Sequence, residues 1–300
     1  MRRFIAFVSI LYCSLTHGQV SKIVVWESLY NNPTTIMMDY LNRSLQVTQA
    51  EYGDYELIAS AKMEQGRSLI EIAQAENSKL DIASYAPTKE REKLAIPIRI
   101  PALNGLMGYR LCLIKDGSQI RFDDITSQQQ LVDKKITIGQ HQDWPDTSIL
   151  RANDIVVKTT YKKKLLFQQL SRGRFDCFSR GANEIYEEYL AHKAEGISIE
   201  ENLLLYYPLP IFFFVNKSQP QLAERVQLGL EKLIASGEYD LIFERFFSKT
   251  NAQLKLSERT VIDLYNPTLS EETIRAIQTP TLRFRDKNLK TKEPLAVMQD

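Results

Sequence analysis

Residues 79–93 read "KLDIASYAPTKEREK" and join an apolar run to a charged turn. The run at 79–84 has the length and composition of a buried strand, and the charged residues after it begin a helix. In an open α/β sheet, side chains just beyond a strand end reach the ligand crevice. Arg91 therefore has two interpretations. It is held over a pocket at that crevice, or it pairs with Glu90, Glu92 or another carboxylate of its own chain.

The same alternation of strands and helices continues on both sides of this stretch. Further strands are predicted at 22–26, 55–60, 109–115, 134–139, 154–160, 174–179 and 210–215. Helices between successive strands predict parallel sheets with right-handed crossovers. Proline- and glycine-containing segments at 103–110 and 203–210 indicate two chain crossings between two α/β halves. One continuous sheet of eight strands is the alternative.

The first residues have the layout of a secretory signal. Arg2 and Arg3 precede an apolar run at 4–15, and small residues follow up to Gly18. This pattern predicts a signal peptide at 1–18, cleaved after Gly18, and therefore export to the periplasm. No later run reaches the roughly 20 apolar residues that a membrane span requires.

The composition is that of an ordinary globular protein and excludes several classes of function. The formal net charge of +1 over 300 residues gives no electrostatic footprint for a nucleic acid, so none is expected as a partner. The three histidines are scattered and the cysteines lack zinc-ligand spacing, so neither a metal nor a cofactor is expected. No nucleophile or acid–base motif is present, which favours binding over catalysis. We expect a monomer.

Several motifs, in this order, resemble those of the family 3 bacterial extracellular solute-binding proteins. Residues 88–91, "TKER", are similar to the family's T-x-E-R loop, and "LSRGRFDCFSRG" (170–181) is similar to its L-x-x-G-(R/K)-x-D motif. "GLEKLIASGEYDLIFERFF" (229–247) resembles its closing helix pair. The resemblance covers about 20–250. "GQHQDWPDTSIL" (139–150) and "RTVIDLYNPTL" (259–269) resemble an orphan sub-branch whose members often lack an evident transporter.

This resemblance implies the type II periplasmic-binding-protein fold. The fold class is α/β with two lobes, each a mostly parallel sheet flanked by helices, followed by a C-terminal extended tail. The implied divisions are lobe 1 at 19–105 and 208–250, lobe 2 at 106–207, and a tail at 251–300 that packs on the lobes. The implied function is to close two lobes around a small solute.

The resemblance also implies a set of ligand-binding residues. Arg91 becomes the anchor for a ligand carboxylate, with Ser84 and Thr88 in the same loop. Trp26 and Tyr30 follow the first strand, where family members place a ring that stacks on the ligand. The opposite lobe would contribute Trp144, Asp146, Thr147, Arg180 and Glu184. For Asp146 and Thr147 the alternative is to cap a helix that begins at Ser148.

Two departures from the family pattern bear on the ligand. Ala86 stands where amino-acid receptors have serine or threonine, and Gly181 stands where they have the aspartate that holds the ligand ammonium. Arg180 precedes that glycine. The missing acid and the added arginine favour an anionic or carboxylate-bearing solute, unless Glu184 replaces the acid.

The two strands that the resemblance places side by side, 109–115 and 174–179, each carry one cysteine. In an antiparallel pair, opposed Cα atoms lie about 4.5–5.5 Å apart, which a disulfide can span. Cys112 and Cys177 are therefore predicted either to form a disulfide or to remain two buried thiols, since a shift of one residue turns the side chains apart.

Three functions remain open at this point. The first is solute binding for ABC-type uptake or for sensing, with a membrane permease or sensor as partner. The second is a sensor or interaction protein without a ligand. The third is an enzyme on the same fold, such as a dehydratase, with Glu184 or Asp146 as the acid.

Overall fold

The computed structural model describes residues 20–32 and 36–278, and for residues 249–252 it describes the backbone alone. The predicted signal peptide at 1–18 and the part of the predicted tail from 279 onward lie outside the described residues. Helices surround two separate β-sheets. No helix in the described ranges combines the length and the apolarity that crossing a bilayer requires.

The strands of the described chain are short and mostly buried. In chain order they are β1 (Ser21–Val25), β2 (Tyr55–Ala59), β3 (Ile82–Tyr85), β4 (Ile96–Ile98), β5 (Tyr109–Lys115), β6 (Thr137–His141), β7 (Val156–Thr160), β8 (Cys177–Gly181), β9 (Ile197–Ile199), β10 (Leu203–Tyr206), β11 (Phe212–Val215) and β12 (Thr260–Asp263).

The helices lie between the strands and cover the sheets. In chain order they are α1 (Glu27–Tyr30), α2 (Met37–Val47), α3 (Gln49–Tyr52), α4 (Gln65–Ile72), α5 (Lys89–Leu94), α6 (Gln128–Asp133), α7 (Pro145–Ala152), α8 (Lys163–Ser171), α9 (Ile185–His192), α10 (Pro220–Ser236), α11 (Glu238–Leu254) and α12 (Glu271–Ile277).

The strands form two sheets, each the centre of one lobe. The first lobe is built on the order β2-β1-β3-β11-β4, and the second on β12-β10-β5-β8-β6-β7 with β9 beside β5. In the first sheet β1, β2 and β3 are parallel, and β11 is antiparallel to β3. The two-lobed interpretation is confirmed, and the single eight-stranded sheet is wrong.

The chain passes between the sheets three times: from β4 to β5, from β10 to β11 and, after α10 and α11, from β11 to β12. The first two crossings touch, because the Tyr207 N–H donates to the Gly108 carbonyl at 3.2 Å. A Cβ atom at position 108 would lie 2.3 Å from the Tyr207 carbonyl oxygen. The close approach of the two crossings therefore requires a glycine.

A disulfide joins Cys112 of β5 to Cys177 of β8, with the Cα atoms 5.1 Å apart. The two strands are antiparallel, but Cys112 faces Ser179 in the register. The bonded residues are therefore diagonal neighbours. The expectation that they stand directly opposite each other was wrong, because the register is offset by two residues, which keeps both side chains on one face.

The chain beyond α11 contributes to the second sheet. Strand β12 runs parallel to β10, with Leu203 paired to Thr260 and Tyr206 to Asp263. Ile262 and Leu264 are buried in the core of that lobe. The second helix of the pair that the resemblance places at 229–247 continues to Leu254.

Candidate functional site

A cleft of about 840 Å³ lies between the lobes. Its walls are the loops that follow β1 and β3 on one side and β6 and β8 on the other. These are the carboxyl ends of parallel strands, where open α/β sheets bind ligands. The lining includes Trp26, Ser84 and Arg91 from the first lobe and Trp144, Asp146, Arg180 and Glu184 from the second.

Arg91 sits in α5, immediately after the loop that follows β3, and only 7% of its surface is exposed. Its guanidinium donates to the Ala86 carbonyl at 2.8 Å, to Gln65 Oε1 at 3.0 Å and to the Asp143 carbonyl at 2.9 Å. Asp143 belongs to the second lobe, so the lobes are in contact at this arginine. All three acceptors are uncharged groups.

No carboxylate of the described residues forms an ion pair with Arg91. The alternative in which it pairs with Glu90 or Glu92 is therefore wrong, and Glu92 pairs with Arg99 at 2.6 Å. Burial lowers the pKa of the Arg91 guanidinium to about 10, because a charge loses hydration inside the protein. At neutral pH Arg91 is thus a buried cation with no described carboxylate within ion-pair distance, although Asp146, Asp143 and Glu90 attract its charge from farther away.

The second lobe holds a buried ion pair that sequence reasoning missed. Arg110 of β5 pairs with Asp146, and the Tyr207 hydroxyl donates to Asp146 Oδ1 at 2.6 Å. Burial raises the pKa of Tyr207. The sequence did contain a signal for this ion pair. Arg110 stands inside the mostly apolar strand "YRLCLIK", and a buried arginine requires a partner. This pair links the wall of the cleft to the first two crossings. Arg110 donates to the Met107 carbonyl at 3.1 Å in the first crossing, and Asp146 accepts from Tyr207 in the second.

Arg180 is also buried, but it is fully paired. Its Nε and Nη2 atoms lie 2.5 and 2.8 Å from the two oxygens of Glu188, and Nη2 lies 2.7 Å from Glu184. The guanidinium also stacks 4.6 Å above the Trp144 ring. Arg180 lies beside Gly181 as the sequence indicates, but it does not add a free positive charge that would favour an anionic ligand, because two carboxylates neutralise it.

Glu188 is held in its charged form. Burial alone would raise the pKa of Glu188, but the positive charges of Arg180 and Lys163 outweigh burial and lower it to about 2. Lys163 Nζ lies 2.5 Å from Glu188. Glu184 is partly exposed to the cleft and accepts from the Gly181 N–H at 3.2 Å.

The space beside Gly181 is already filled. A Cβ atom there would lie 2.4 Å from Asn183 Oδ1 and 3.1 Å from Arg110 Nη1. A side chain at this position would force Asn183 to move and would be in tight contact with Arg110. Arg110 thus occupies the place where the resemblance puts an acid that holds an ammonium.

Two of the three predicted aromatic residues line the cleft, one on each lobe. The Trp26 indole donates to the Met63 carbonyl at 3.1 Å, and Trp144 packs 5.4 Å from His141. Tyr30 does not line the cleft. Its hydroxyl donates instead to the Leu57 carbonyl at 3.4 Å, so its assignment to the site was wrong.

The hydroxyl residues divide similarly. Ser84 lines the cleft, but Thr88 caps α5 by accepting from the Arg91 N–H at 3.2 Å. Thr147 donates to the His141 carbonyl at 3.0 Å, and neither threonine lines the cleft. Helix α7 begins at Pro145 and has no side-chain cap. The capping role predicted for Asp146 or Thr147 at Ser148 is therefore wrong.

No protein-family model matches this chain, and no curated protein matches it. Solved structures do match. An ancestral arginine-binding protein bound to arginine is similar at 19% identity and a TM-score of 0.55, over 76% of this chain and 98% of its own. A Salmonella typhimurium periplasmic binding protein described as highly specific for arginine has 15% identity and a TM-score of 0.56, over 76% and 100%.

The ligand-binding core of GluR0 in complex with L-glutamate is also similar. It shares 14% identity at a TM-score of 0.55, over 77% of this chain and 99% of its own. Structural matches at sequence identities this low establish the fold of the chain. This chain has the two-lobed α/β fold of the type II periplasmic binding proteins.

Proposed function

We propose that this protein is an exported solute-binding protein that closes its lobes around a small carboxylate-bearing solute. The observation that carries the proposal is Arg91, a buried cation at the cleft whose three protein partners are all uncharged. A guanidinium presents its N–H groups as a planar fork that fits a carboxylate. A ligand carboxylate would supply the anion that this site lacks.

The similar structures support the same class of solute, since arginine and L-glutamate both carry a carboxylate. The second-lobe wall gives no separate preference for an anion, because Arg110 and Arg180 are paired. Glu184 remains the candidate acid for a ligand ammonium. A permease for uptake and a membrane sensor are both proposed partners, and the similar structures include a periplasmic binding protein and the ligand-binding core of GluR0.

A thermal-shift screen of the purified exported form tests the proposal. The panel contains amino acids, dicarboxylates, short peptides and glycan fragments. Because a ligand that binds only the folded state stabilises it by mass action, we expect one carboxylate-bearing class to raise the melting temperature. A folded protein that responds to none of them would favour a sensor or interaction protein without a ligand. A response to neutral glycans alone would contradict the role of Arg91.

A further inference from the structure

The segment 259–273, which we call the strap, contacts the second lobe, one crossing and the first lobe in turn. We propose that it positions α5, and with it Arg91, by tying this helix to the second lobe. The positioning of a ligand anchor rests on the function proposed above. The mechanical link between the lobes is independent of that function.

The strap begins firmly attached to the second lobe. Arg259 donates to the carbonyls of Glu200 and Leu203 at 2.6 and 3.1 Å, and its Nη1 lies 3.6 Å from the buried Glu200 carboxylate. Strand β12 then pairs with β10. Next, Asn153 at the end of α7 bonds both backbone groups of Tyr265, at 2.8 and 3.0 Å.

The strap then crosses the hinge region and reaches α5. The Asn266 amide donates to the Pro208 carbonyl at 2.7 Å, within the second crossing. The Lys89 N–H, the first of α5, donates to the Thr268 carbonyl at 2.9 Å. Such an N–H has no partner within its own helix, so the strap supplies one.

Glu92 is the main attachment point on α5. Its carboxylate is buried and accepts from the Ser270 hydroxyl at 2.9 Å, from the Thr273 hydroxyl at 2.8 Å and from Arg99 at 2.6 Å. Arg91 lies one residue before it. A helix of only six residues has little stability of its own. Contacts such as these therefore determine where α5 sits and where it holds the Arg91 guanidinium.

Hydrogen exchange measured without any solute tests the strap. Thr273→Val keeps the shape of the side chain and removes one bond to Glu92. Asn153→Ala removes both bonds to the Tyr265 backbone and so loosens the end of the strap that is attached to the second lobe. Loss of one buried hydrogen bond corresponds to roughly a five- to thirtyfold change in a local opening equilibrium. We expect exchange at residues 89–94 to accelerate by about that factor in both variants.

Two controls make the result specific. Glu271→Gln changes an exposed side chain of α12 whose partner is Arg275 of the same helix, and it should leave α5 unchanged. Exchange in α8 should also be unchanged in all variants. The proposal is overturned if α5 keeps its protection in both variants, or if α5 and α8 accelerate together, which would indicate general destabilisation. Because no solute is used, failure here would leave the proposed solute binding untouched.

Discussion

Arg91 and Arg180 are both buried arginines of the cleft, and they differ in their partners. Each guanidinium lies over an aromatic ring, but Arg180 is paired with two carboxylates, whereas Arg91 donates to three neutral oxygens. Breaking a buried ion pair by removing one partner leaves an uncompensated charge, which costs about 3–5 kcal/mol. Arg180 therefore stabilises the fold, and Arg91 is the residue available to a ligand.

The first prediction concerns Arg180. Arg180→Ala leaves Glu184 and Glu188 without their shared cation, so the free energy of unfolding should fall by about 3–5 kcal/mol. Urea denaturation followed by circular dichroism measures it. Arg245→Ala, which breaks an exposed pair with Asp39, should cost at most about 1 kcal/mol. Equal small losses in both variants would mean that the Arg180 cluster is not a stabilising network.

Acid stability offers a second test of the same cluster. The folded-state pKa of Glu188 is about 2, below its ordinary value, so its ionised form stabilises the fold above about pH 4.5. That contribution, on the order of 2–3 kcal/mol, is lost as the pH falls from 4.5 to 2. Glu188→Gln should lose less stability over this range, whereas Glu187→Gln should behave like the parent protein. Identical pH profiles for all three proteins would contradict the assignment.

At Arg91 the sequence predicts local structure, because residues 79–93 indicate the strand and the helix start on either side of the loop. The role of Arg91 as a ligand anchor stays a prediction, and the capping role of Thr88 was not predicted. The partners of Arg110 were not predictable, because Asp146 is 36 positions from Arg110 and Tyr207 is 61 positions from Asp146. Arg180 was misjudged although its partners Glu184 and Glu188 are only four and eight positions away. Its neutralisation depends on how α9 folds back against β8.

At the scale of elements, local periodicity located the strands, but their partners came from the tertiary fold. The segment 260–264 reads as an apolar strand, yet nothing in it specifies β10 as its neighbour. The strand pair that carries the two cysteines was expected from the resemblance. The register of this pair could not be predicted. A shift of two residues leaves the same side chains facing inward, so the sequence pattern does not distinguish the two registers.

The third prediction concerns this strand pair. The disulfide closes a separation of 65 residues, so its reduction should lower the stability of the second lobe by about 2–4 kcal/mol. Thiol titration of the unfolded, unreduced exported form should find neither Cys112 nor Cys177 free. A variant with serine at both positions should be insensitive to reductant. Two free thiols per chain would contradict the bond.

The whole molecule is two lobes joined by three crossings, of which the first two touch at Gly108 and Tyr207, with the strap as a further connection. Hinge motion about such crossings opens and closes a cleft, and a ligand held by both lobes favours the closed state. The bond from Arg91 to the Asp143 carbonyl spans the two lobes. A solute bound at Arg91 therefore lies where closure can respond to it.

The central claim is that a solute carboxylate binds Arg91 between the lobes, and the two tryptophans of this chain can report it. Trp26 lines the cleft on the first lobe and Trp144 on the second. The measurement is a fluorescence titration with the acid that gives the largest thermal shift and, separately, with the corresponding amide. It compares the parent protein with Arg91→Ala and with Arg245→Ala as a control.

We predict a saturable change with the acid in the parent protein and in the control variant. The amide should bind far more weakly, and Arg91→Ala should lose about 2–5 kcal/mol of affinity for the acid while remaining folded. Equal affinity for acid and amide, or normal binding by folded Arg91→Ala, would contradict the account.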